Sequence, residues 1–453
     1  MQPILFYSTN LNAPPVSFAE ALLKGLAPDG GLYLPGEIPR LAPEEISAFS
    51  DMAYHEIAFE IGRRFLRGQI DEVALKALVR SAYDFEVPLE HVVDRNYVMR
   101  LDRGPTASFK DFAARMMGRL MQYYLKAENR RLLILTATSG DTGSAIANAF
   151  YGLDQIEVLV LYPKNEVTDR QRRQMTTLGK NVQIVALDGK FDDCQALVKT
   201  AFTDPELDDL GLSSANSINI GRLIPQSIYY CYAFAKLRAG LRDDSIVFSV
   251  PSGNFGDMMG GLLAKAMGIP IDRFVIAVNE NDAFPTFLST GHYEKVAPSR
   301  NCISSAMNVG HPSNLSRVTA HYGGVMDEHG RVKKAPDLVR MNHDMVSYSV
   351  SDTETEATIK SAWQAHRLLL EPHGAVGWNG LMRYLSTQPD AHPLCVLLET
   401  AHPAKFPEKL ISLLDENPAM PPSLVGLEEK AESFDSLEHD YTAFKAYLNQ
   451  RYR

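Results

Sequence analysis

Cysteine is scarce in this sequence, which has four among 453 residues, with no two close together. A disulfide-rich fold and a CxxC zinc or redox motif are therefore excluded, and so few cysteines are typical of a reducing compartment. The sequence does not open with the basic and then apolar segment of a signal peptide. No apolar run approaches the roughly 18 residues of a membrane span. We expect a cytoplasmic protein without a membrane partner.

Positive charge is also in short supply. Lys and Arg number 45 against 55 Asp and Glu, which gives a formal net charge of −10. This balance argues against a dedicated nucleic-acid binder. An anionic ligand needs a local positive site, because the negative net charge of the protein repels it. The hydrophobic fraction of 45% and the charged fraction of 22% are ordinary for a globular enzyme. At about 150 residues per domain, the length corresponds to roughly three domain-sized units.

Several familiar catalytic motifs are missing. The sequence has no GxxxxGK(S/T) phosphate loop, no GxGxxG dinucleotide fingerprint and no GxSxG nucleophile elbow. His55 and Glu56 begin like a zincin HExxH motif, but Phe59 stands where its second histidine belongs. The twelve histidines form no metal-spaced cluster. We therefore predict no metal site.

Two hydrophobic patterns divide the chain. Residues 42–67 carry apolar residues at helical spacing, whereas from about residue 96 short β-branched runs alternate with helix-length segments. This alternation predicts βαβ units and mostly parallel sheets. The predicted strands are 132–137, 158–162, 182–187, 246–250, 274–278 and 395–398. The predicted domains are an N-terminal mainly helical domain (1–95), two α/β domains (96–245 and 246–415) and a C-terminal helical tail (416–453), whose residues 428–453 we expect on the surface.

Two segments share one strand–turn–helix form. The first ends in Ser139-Gly140-Asp141-Thr142-Gly143 and the second in Ser252-Gly253-Asn254-Phe255-Gly256-Asp257. The first N–H groups of a helix lack partners within it, and glycine lets an anion approach that backbone. The pair therefore predicts two anion sites in one cleft. Either loop alone is equally typical of a simple tight turn.

Lys110 stands near a predicted helix start. Gly104-Pro105 makes a turn before it, and Thr106 or Ser108 can cap the helix. The positive end of the helix dipole lowers the pKa of a lysine there, and a neutral amine is what Schiff-base formation with an aldehyde cofactor requires. A solvated lysine on a first turn has the same local pattern.

Seven motifs, in order along the chain, make the sequence similar to one enzyme family. They are Tyr7-Ser8-Thr9 with residues 25–35, and the segments 104–111, 139–143, 216–222, 252–257, 371–375 and 400–406. On these motifs the chain resembles the threonine synthases of the longer bacterial and fungal type, which are pyridoxal-phosphate enzymes of fold type II. The resemblance implies the α/β, tryptophan synthase β-like fold. Two open, twisted, mostly parallel sheets with flanking helices would stand beside an N-terminal mainly helical region.

The resemblance also implies roles for the matched residues. Lys110 would carry the pyridoxal 5′-phosphate cofactor and act in catalysis. The other cofactor-binding residues would be Gly253, Asn254, Phe255, Gly256 and Asp257, whose backbone amides receive the phosphate, and Thr400, which contacts the ring nitrogen. The substrate amino acid would lie against Ser139, Asp141 and Thr142, and its phosphate would be held by Asn216, Ser217 and Arg222. Arginine suits phosphate because its planar fork can bind with two hydrogen bonds.

The implied reaction converts O-phospho-L-homoserine and water into L-threonine and phosphate, which ends threonine biosynthesis. The alternatives are a related phospho-lyase that gives a 2-oxo acid, a serine or threonine dehydratase, and a non-enzymatic binding protein on the same fold. The phosphate-binding set argues against the dehydratase, and the presence of Lys110 argues against the binding protein. We expect a small-molecule substrate, a monomer or homodimer, and no nucleic acid.

Asp141 departs from a wider pattern, because many fold-type II enzymes have Asn there. Asn can donate a hydrogen bond to the cofactor's ring oxygen, whereas an ionised Asp cannot. Either Asp141 is protonated, or its side chain points elsewhere, for example as a helix cap. Its carboxylate would repel a phosphate in its own loop. We therefore expect the 252–257 loop to hold the cofactor phosphate, with the Asp257 side chain directed outward.

Overall fold

The computed structural model describes residues 2–138, 140–238, 245–389 and 392–453. These residues form strands and helices in alternation over most of the chain. The strands are β1 (Phe6–Ser8), β2 (Tyr33–Pro35), β3 (Leu89–Val93), β4 (Asn96–Arg100), β5 (Leu132–Ala137), β6 (Ile156–Pro163), β7 (Val182–Asp188), β8 (Leu212–Ser213), β9 (Ile246–Pro251), β10 (Ile271–Val278), β11 (Val325–Met326), β12 (Val332–Lys334), β13 (Met345–Ser349), β14 (Leu394–Glu399) and β15 (Asp435–Glu438).

Helices connect the strands and cover the sheets. They are α1 (Phe18–Lys24), α2 (Pro43–Ala48), α3 (Tyr54–Phe65), α4 (Glu72–Ala82), α5 (Lys110–Glu128), α6 (Asp141–Phe150), α7 (Asp169–Thr176), α8 (Phe191–Phe202), α9 (Ile220–Arg238), α10 (Gly256–Met267), α11 (Ala283–Thr290), α12 (Leu315–His321), α13 (Leu338–Asp344), α14 (Asp352–His366), α15 (Pro372–Ser386), α16 (Pro407–Leu414) and α17 (Tyr441–Tyr452).

The larger sheet has the order β13-β10-β9-β14-β4-β3. Its pairs are parallel except β3–β4, which is antiparallel. Strand β9 is buried along its whole length. Ile246, Phe248 and Val250 belong to one core cluster and Val247 to another, because successive side chains point to opposite faces. Apolar clusters on both faces explain the continuous apolar runs that predicted these strands.

The smaller sheet has the order β15-β7-β6-β5-β8, and all its pairs are parallel. All six strands predicted from the sequence are present, three in each sheet. Helices α1 to α4 and the β1–β2 pair precede both sheets, and α3 packs against α9. One core cluster extends from this N-terminal part to side chains of both sheets.

Two details of the predicted domain division differ from the strand pairing. Strand β4 pairs with β14 and so belongs to the larger sheet, not to the unit that follows it in sequence. The expected helical tail contains β15, which pairs with β7, and its helix buries Phe444 and Leu448. The tail is therefore not purely helical or purely on the surface. Its Asp-Ser-Leu-Glu strand has no β-branched run, and the pairing with β7 makes it a strand.

The carboxyl ends of parallel strands meet at one edge of a sheet, and open α/β sheets bind ligands there. In the larger sheet the segments after β4, β9 and β14 lead to residues 104–110, 252–257 and 400–405. In the smaller sheet β5 leads to residues 138–143. Within the described ranges, no helix is long and apolar enough to cross a membrane.

Candidate active site

Lys110 is the first residue of α5, as the sequence predicted, and a folded loop positions it. The N–H of Phe109 donates to the Thr400 carbonyl at 2.9 Å. The backbone N–H of Thr106 donates to Asp111 Oδ2 at 2.8 Å and its hydroxyl to Oδ1 at 2.7 Å. Thr106 therefore holds the buried Asp111, and neither Thr106 nor Ser108 caps the helix, whose N-cap is Phe109.

The Lys110 amine is largely withdrawn from solvent. Its side chain is 12% exposed, and its Nζ lies 4.7 Å from the centre of the Phe109 ring. Burial lowers the pKa of Lys110 below its usual value, Asp141 opposes this, and Lys405 and Arg222 lower it further. The predicted direction of the pKa shift is thus supported, but its main cause is burial rather than the helix dipole.

Asp141 is the anion at the centre of the site. Its Oδ2 lies 3.8 Å from Lys110 Nζ, and its Oδ1 lies 2.5 Å from Lys405 Nζ and accepts from Gln171 Nε2 at 2.9 Å. Burial acts to raise its pKa, but Lys405 and Lys110 outweigh burial and hold the pKa well below its usual range. Asp141 is therefore ionised and directed at two lysines, which decides between the alternatives that the sequence left open. It is not a helix cap.

The loop before α6 has much of its backbone engaged. Thr138 Oγ1 accepts from the N–H of Gly140 at 3.0 Å and of Gly143 at 2.7 Å. Gly140 has a φ of +133°, and a Cβ there would lie 2.6 Å from the Gln171 carboxamide. Thr142 is half-buried, and Ser139 lies outside the described residues. Two N–H groups of this loop are thus taken by Thr138, which leaves fewer of them for an anion.

The loop before α10 presents more free backbone. Among the described residues, no hydrogen bond uses the N–H groups of Gly253, Asn254 and Phe255. Phe255 has a φ of 61°, in the left-handed region, and stands at the start of α10 without a side-chain cap. A Cβ on Gly253 would lie 2.9 Å from the carbonyl oxygen of Ala306, so only glycine fits there. Free N–H groups at a helix start suit a phosphate.

The Asp257 side chain is directed at a neighbouring helix rather than at solvent. It is 5% exposed and faces α9, where the hydroxyls of Tyr229 and Tyr230 both donate to its Oδ1. Within the described chain its Oδ2 has no hydrogen-bond partner. Burial raises the pKa of Asp257 to about 6, against the effect of the two tyrosines. The second residue of α10 thus turns its carboxyl toward α9, and its direction away from the phosphate stays a prediction.

Asn216, Ser217 and Arg222 lie together before and within the first turn of α9. The Arg222 Nη1 donates to the Ala215 carbonyl at 2.9 Å, while its buried Nε and the Asn216 Oδ1 have no partner among the described residues. Burial lowers the pKa of Arg222 to about 10, so the guanidinium stays charged at neutral pH. A buried cation with a free N–H suits an anionic ligand.

A residue outside every sequence motif fixes this segment. Arg317, which is fully buried, donates to the carbonyls of Ser217 at 3.1 Å and Ile218 at 2.6 Å. Its Nε also donates to the Tyr33 carbonyl at 3.0 Å. No motif marked Arg317, because its partners are backbone carbonyls that come together only in the fold.

The segments 371–375 and 400–406 form the back of the site. Glu371 caps α15 by accepting from the N–H groups of His373 at 2.8 Å and Gly374 at 2.9 Å. The His373 Nδ1 lies 2.5 Å from Glu371 Oε2, and its Nε2 accepts from the N–H of Ala306 at 3.0 Å. Thr400 is 6% exposed and follows β14 directly, beside the Lys110 loop.

These residues fit a phosphate-bearing aldehyde cofactor. The site has a buried lysine with a lowered pKa, free N–H groups at a helix start, and a hydroxyl residue at a strand end. Buried side-chain atoms without partners also occur in these segments, at Ser108 Oγ and Asp257 Oδ2. No group of His, Cys, Asp and Glu in the described ranges could hold a metal ion.

Three family models match the chain. They are the threonine synthase N terminus at residues 5–83, the pyridoxal-phosphate dependent enzyme at residues 87–399, and the threonine synthase C-terminal model at residues 374–448. The threonine synthase of Haemophilus influenzae is 39% identical over 434 residues, which is 96% of each chain.

Solved structures agree with this. The crystal structure of pyridoxal-phosphate-bound threonine synthase from Brucella melitensis superposes with a TM-score of 0.91 at 35% identity, covering 99% of this chain and 100% of that one. The threonine synthase from yeast superposes with a TM-score of 0.90 at 30% identity, covering 98% of each chain.

Proposed function

Because the chain belongs to the threonine synthase family of pyridoxal-phosphate-dependent enzymes, we propose that it converts O-phospho-L-homoserine and water into L-threonine and phosphate. The observation that carries this proposal is the buried Lys110, whose amine has a lowered pKa and lies 3.8 Å from an ionised Asp141. A neutral lysine amine is the group that binds an aldehyde cofactor and moves protons beside it.

The cofactor would be held by Lys110, by the backbone of residues 253–257 and by Thr400. The free N–H groups of Gly253, Asn254 and Phe255 support the phosphate assignment, as does the engagement of the other loop by Thr138. Thr400 would meet the ring nitrogen with a hydroxyl, which does not enforce its protonation. When bound, the cofactor supplies an electron sink for carbanions next to the substrate's amino group.

The substrate would be bound by two sets of residues. Thr142, with Ser139 and neighbouring backbone amides, would receive the carboxylate end. Arg222, Asn216 and Ser217 would receive the phosphate; the free Arg222 Nε and the Arg317 bonds that fix the Ser217 backbone support this. Binding both ends of the substrate places Cα and Cβ beside Lys110. It also keeps water from these reacting carbons until the phosphate has left.

Lys110 would move the protons. Its amine takes the proton from Cα, a proton is then removed at Cβ, and the γ-phosphate departs with its bonding electron pair. A proton is then added at Cγ, which becomes the methyl group. Water adds its oxygen at Cβ and gives up one proton, and Lys110 returns a proton at Cα. The sum is substrate plus water giving threonine plus phosphate, so no oxidant or reductant is needed.

Product analysis tests the proposal. The purified, cofactor-loaded protein is incubated with O-phospho-L-homoserine, and amino acids, 2-oxo acids and phosphate are quantified. We expect threonine and phosphate in equal amounts, and no product from a Lys110→Ala variant. A 2-oxo acid in place of threonine would establish the phospho-lyase instead. Borohydride reduction should fix the cofactor on Lys110, and fixation on another lysine would contradict the assignment.

We propose further that the protein acts in the cytoplasm as a monomer or homodimer and binds no nucleic acid. The net charge of −10 and the four separate, unbonded cysteines support this. Light scattering coupled to gel filtration measures the oligomeric state directly. A larger assembly would contradict the proposal.

A further inference from the structure

Lys405 is a buried lysine to which neither the sequence nor the proposed function gives a role. Its side chain is 0% exposed, in the turn Pro403–Lys405 that follows β14. Its Nζ lies 2.5 Å from Asp141 Oδ1 and donates to the Thr106 carbonyl at 3.0 Å. Removing an ammonium group from water is costly unless close partners compensate, and these partners do so.

Asp141 is shared unequally between two lysines. The Lys405 Nζ lies 2.5 Å from Asp141 Oδ1, whereas the Lys110 Nζ lies 3.8 Å from Asp141 Oδ2. Gln171 donates to the same Oδ1 that faces Lys405 and so fixes the carboxylate. The main counter-ion of Asp141 is therefore Lys405.

The backbone holds this arrangement in place. The N–H of His402 donates to the Ala107 carbonyl at 3.0 Å, and the N–H of Phe109 donates to the Thr400 carbonyl at 2.9 Å. The turn with Lys405 and the loop with Lys110 are thus hydrogen-bonded to each other on both sides of Ser108, which bridges to Ala401. The backbone that carries Lys405 is therefore tied to the Lys110 loop.

We infer that Lys405 is a positioning residue, which takes up most of the charge of Asp141 and so weakens the hold of that carboxylate on the Lys110 amine. The inference rests on the proposed function, in which Lys110 is the cofactor lysine. Without Lys405, Lys110 would be the only nearby cation that the buried carboxylate has among the described residues, and the carboxylate would stabilise its ammonium form. An ammonium group can neither attack an aldehyde nor accept a proton.

Other charged groups also face Lys110. Arg222 acts from α9, Glu371 from the start of α15 and Asp257 from α10. Arg222 lowers the pKa of Lys110, and Glu371 raises it. All three remain in each variant described below, so the comparison isolates the Asp141–Lys405 pair.

The test measures the reactivity of Lys110 in the full chain after the cofactor has been removed. The protein is trace-labelled with acetic anhydride over about pH 6 to 10, and mass spectrometry quantifies acetylation of the peptide with Lys110. We expect Lys405→Gln to slow labelling at neutral pH about tenfold or more. Asp141→Asn should move the midpoint of the labelling profile to lower pH, because two cations then face each other. Opposite effects of the two substitutions are not expected from a merely structural role.

Three further variants complete the design. The double variant Asp141→Asn with Lys405→Gln should return labelling toward the wild-type rate, since the carboxylate and its counter-ion are both gone. Lys405→Arg keeps the charge and should keep most of the rate. Lys409→Gln, which removes an ion pair between Lys409 on α16 and Glu356 on α14, is the matched control and should change nothing.

An unchanged labelling profile in Lys405→Gln would overturn the inference, and so would a double variant as slow as the single one. If Lys405→Gln does not fold, Asp141→Asn decides alone, since a labelling midpoint that stays unchanged or moves to higher pH contradicts the inference. Failure of the proposed function is distinguishable, because it would appear as borohydride fixation of the cofactor on a lysine other than Lys110.

Discussion

The carboxyl groups of Glu399 and Glu371 lie together in the core, with both residues 0% exposed and the N–H of Glu371 donating to Glu399 Oε1 at 3.4 Å. Burial, and then the nearby charge of Glu371, raise the pKa of Glu399 well above its usual range. Both effects favour the protonated form of Glu399. Glu371 instead uses both oxygens to cap α15 and to bind His373.

This difference predicts opposite outcomes for two substitutions. Glu399→Gln replaces a neutral carboxyl by a neutral amide of the same shape, so the free energy of unfolding should change by less than about 1 kcal/mol. Glu371→Ala removes the cap and leaves the His373 N–H without its acceptor, so it should cost about 2 kcal/mol or more. Urea unfolding at neutral pH measures both, and a larger loss in Glu399→Gln would show that Glu399 is ionised.

Asp257 should make stability fall as the pH rises through its own range. Burial raises its pKa from 3.8 to about 6. In that window the folded protein binds more protons at Asp257 than the unfolded chain, so the free energy of unfolding decreases with pH. The stabilisation that Asp257 contributes is fully present below pH 3.8 and is lost above about pH 6. The loss is on the order of 2–3 kcal/mol.

Asp257→Asn should remove this contribution. Its Oδ1 can still accept from both tyrosines, but the group no longer titrates. Urea unfolding of the cofactor-free protein, measured at several pH values, compares the variant with wild type and with Asp154→Asn, whose side chain is 73% exposed. A wild-type pH dependence in Asp257→Asn would contradict the assignment.

Arg222→Ala should act on phosphorylated substrate. The loss of a charged phosphate contact costs on the order of 2–4 kcal/mol, which lowers kcat/KM about 30- to 1000-fold. Inhibition by free phosphate should weaken in parallel, while cofactor affinity stays the same. Arg340→Ala, at an exposed arginine, is the control. If neither kcat/KM nor the inhibition by free phosphate changed in Arg222→Ala, Arg222 would not be the phosphate ligand.

The two glycine loops should respond differently to one added methyl group. In Gly253→Ala the Cβ would lie 2.9 Å from the Ala306 carbonyl and displace the free N–H groups beside it, so cofactor affinity should fall at least tenfold. In Gly140→Ala the Cβ would press on Gln171, which positions Asp141, so turnover should fall while the cofactor stays bound. Titrating both variants with the cofactor tests this assignment. If Gly140→Ala lost the cofactor and Gly253→Ala kept it, the roles of the two loops would be exchanged.

The sequence was most informative where one local pattern was enough. Apolar runs such as 132–137 fixed the buried strands, because a strand covered on both faces has no polar side. It was less informative where distant segments meet. Lys405 was visible only as part of a motif, and its partner Asp141 lies far away in sequence. The inward turn of Asp257 depends on Tyr229 and Tyr230, which no spacing rule connects to it.

The pairing of β15 with β7 bears on the order in which the molecule can assemble. The register joins Asp435 to Val185 and Glu438 to Asp188, and parallel contacts between such distant residues form slowly because a long loop must first be closed. On the ribosome, the smaller sheet therefore exposes the edge of β7 until nearly the whole described chain has been synthesised. An open strand edge is prone to wrong pairing. We therefore expect a nascent chain that stops before residue 435 to depend on chaperones more than the finished protein does.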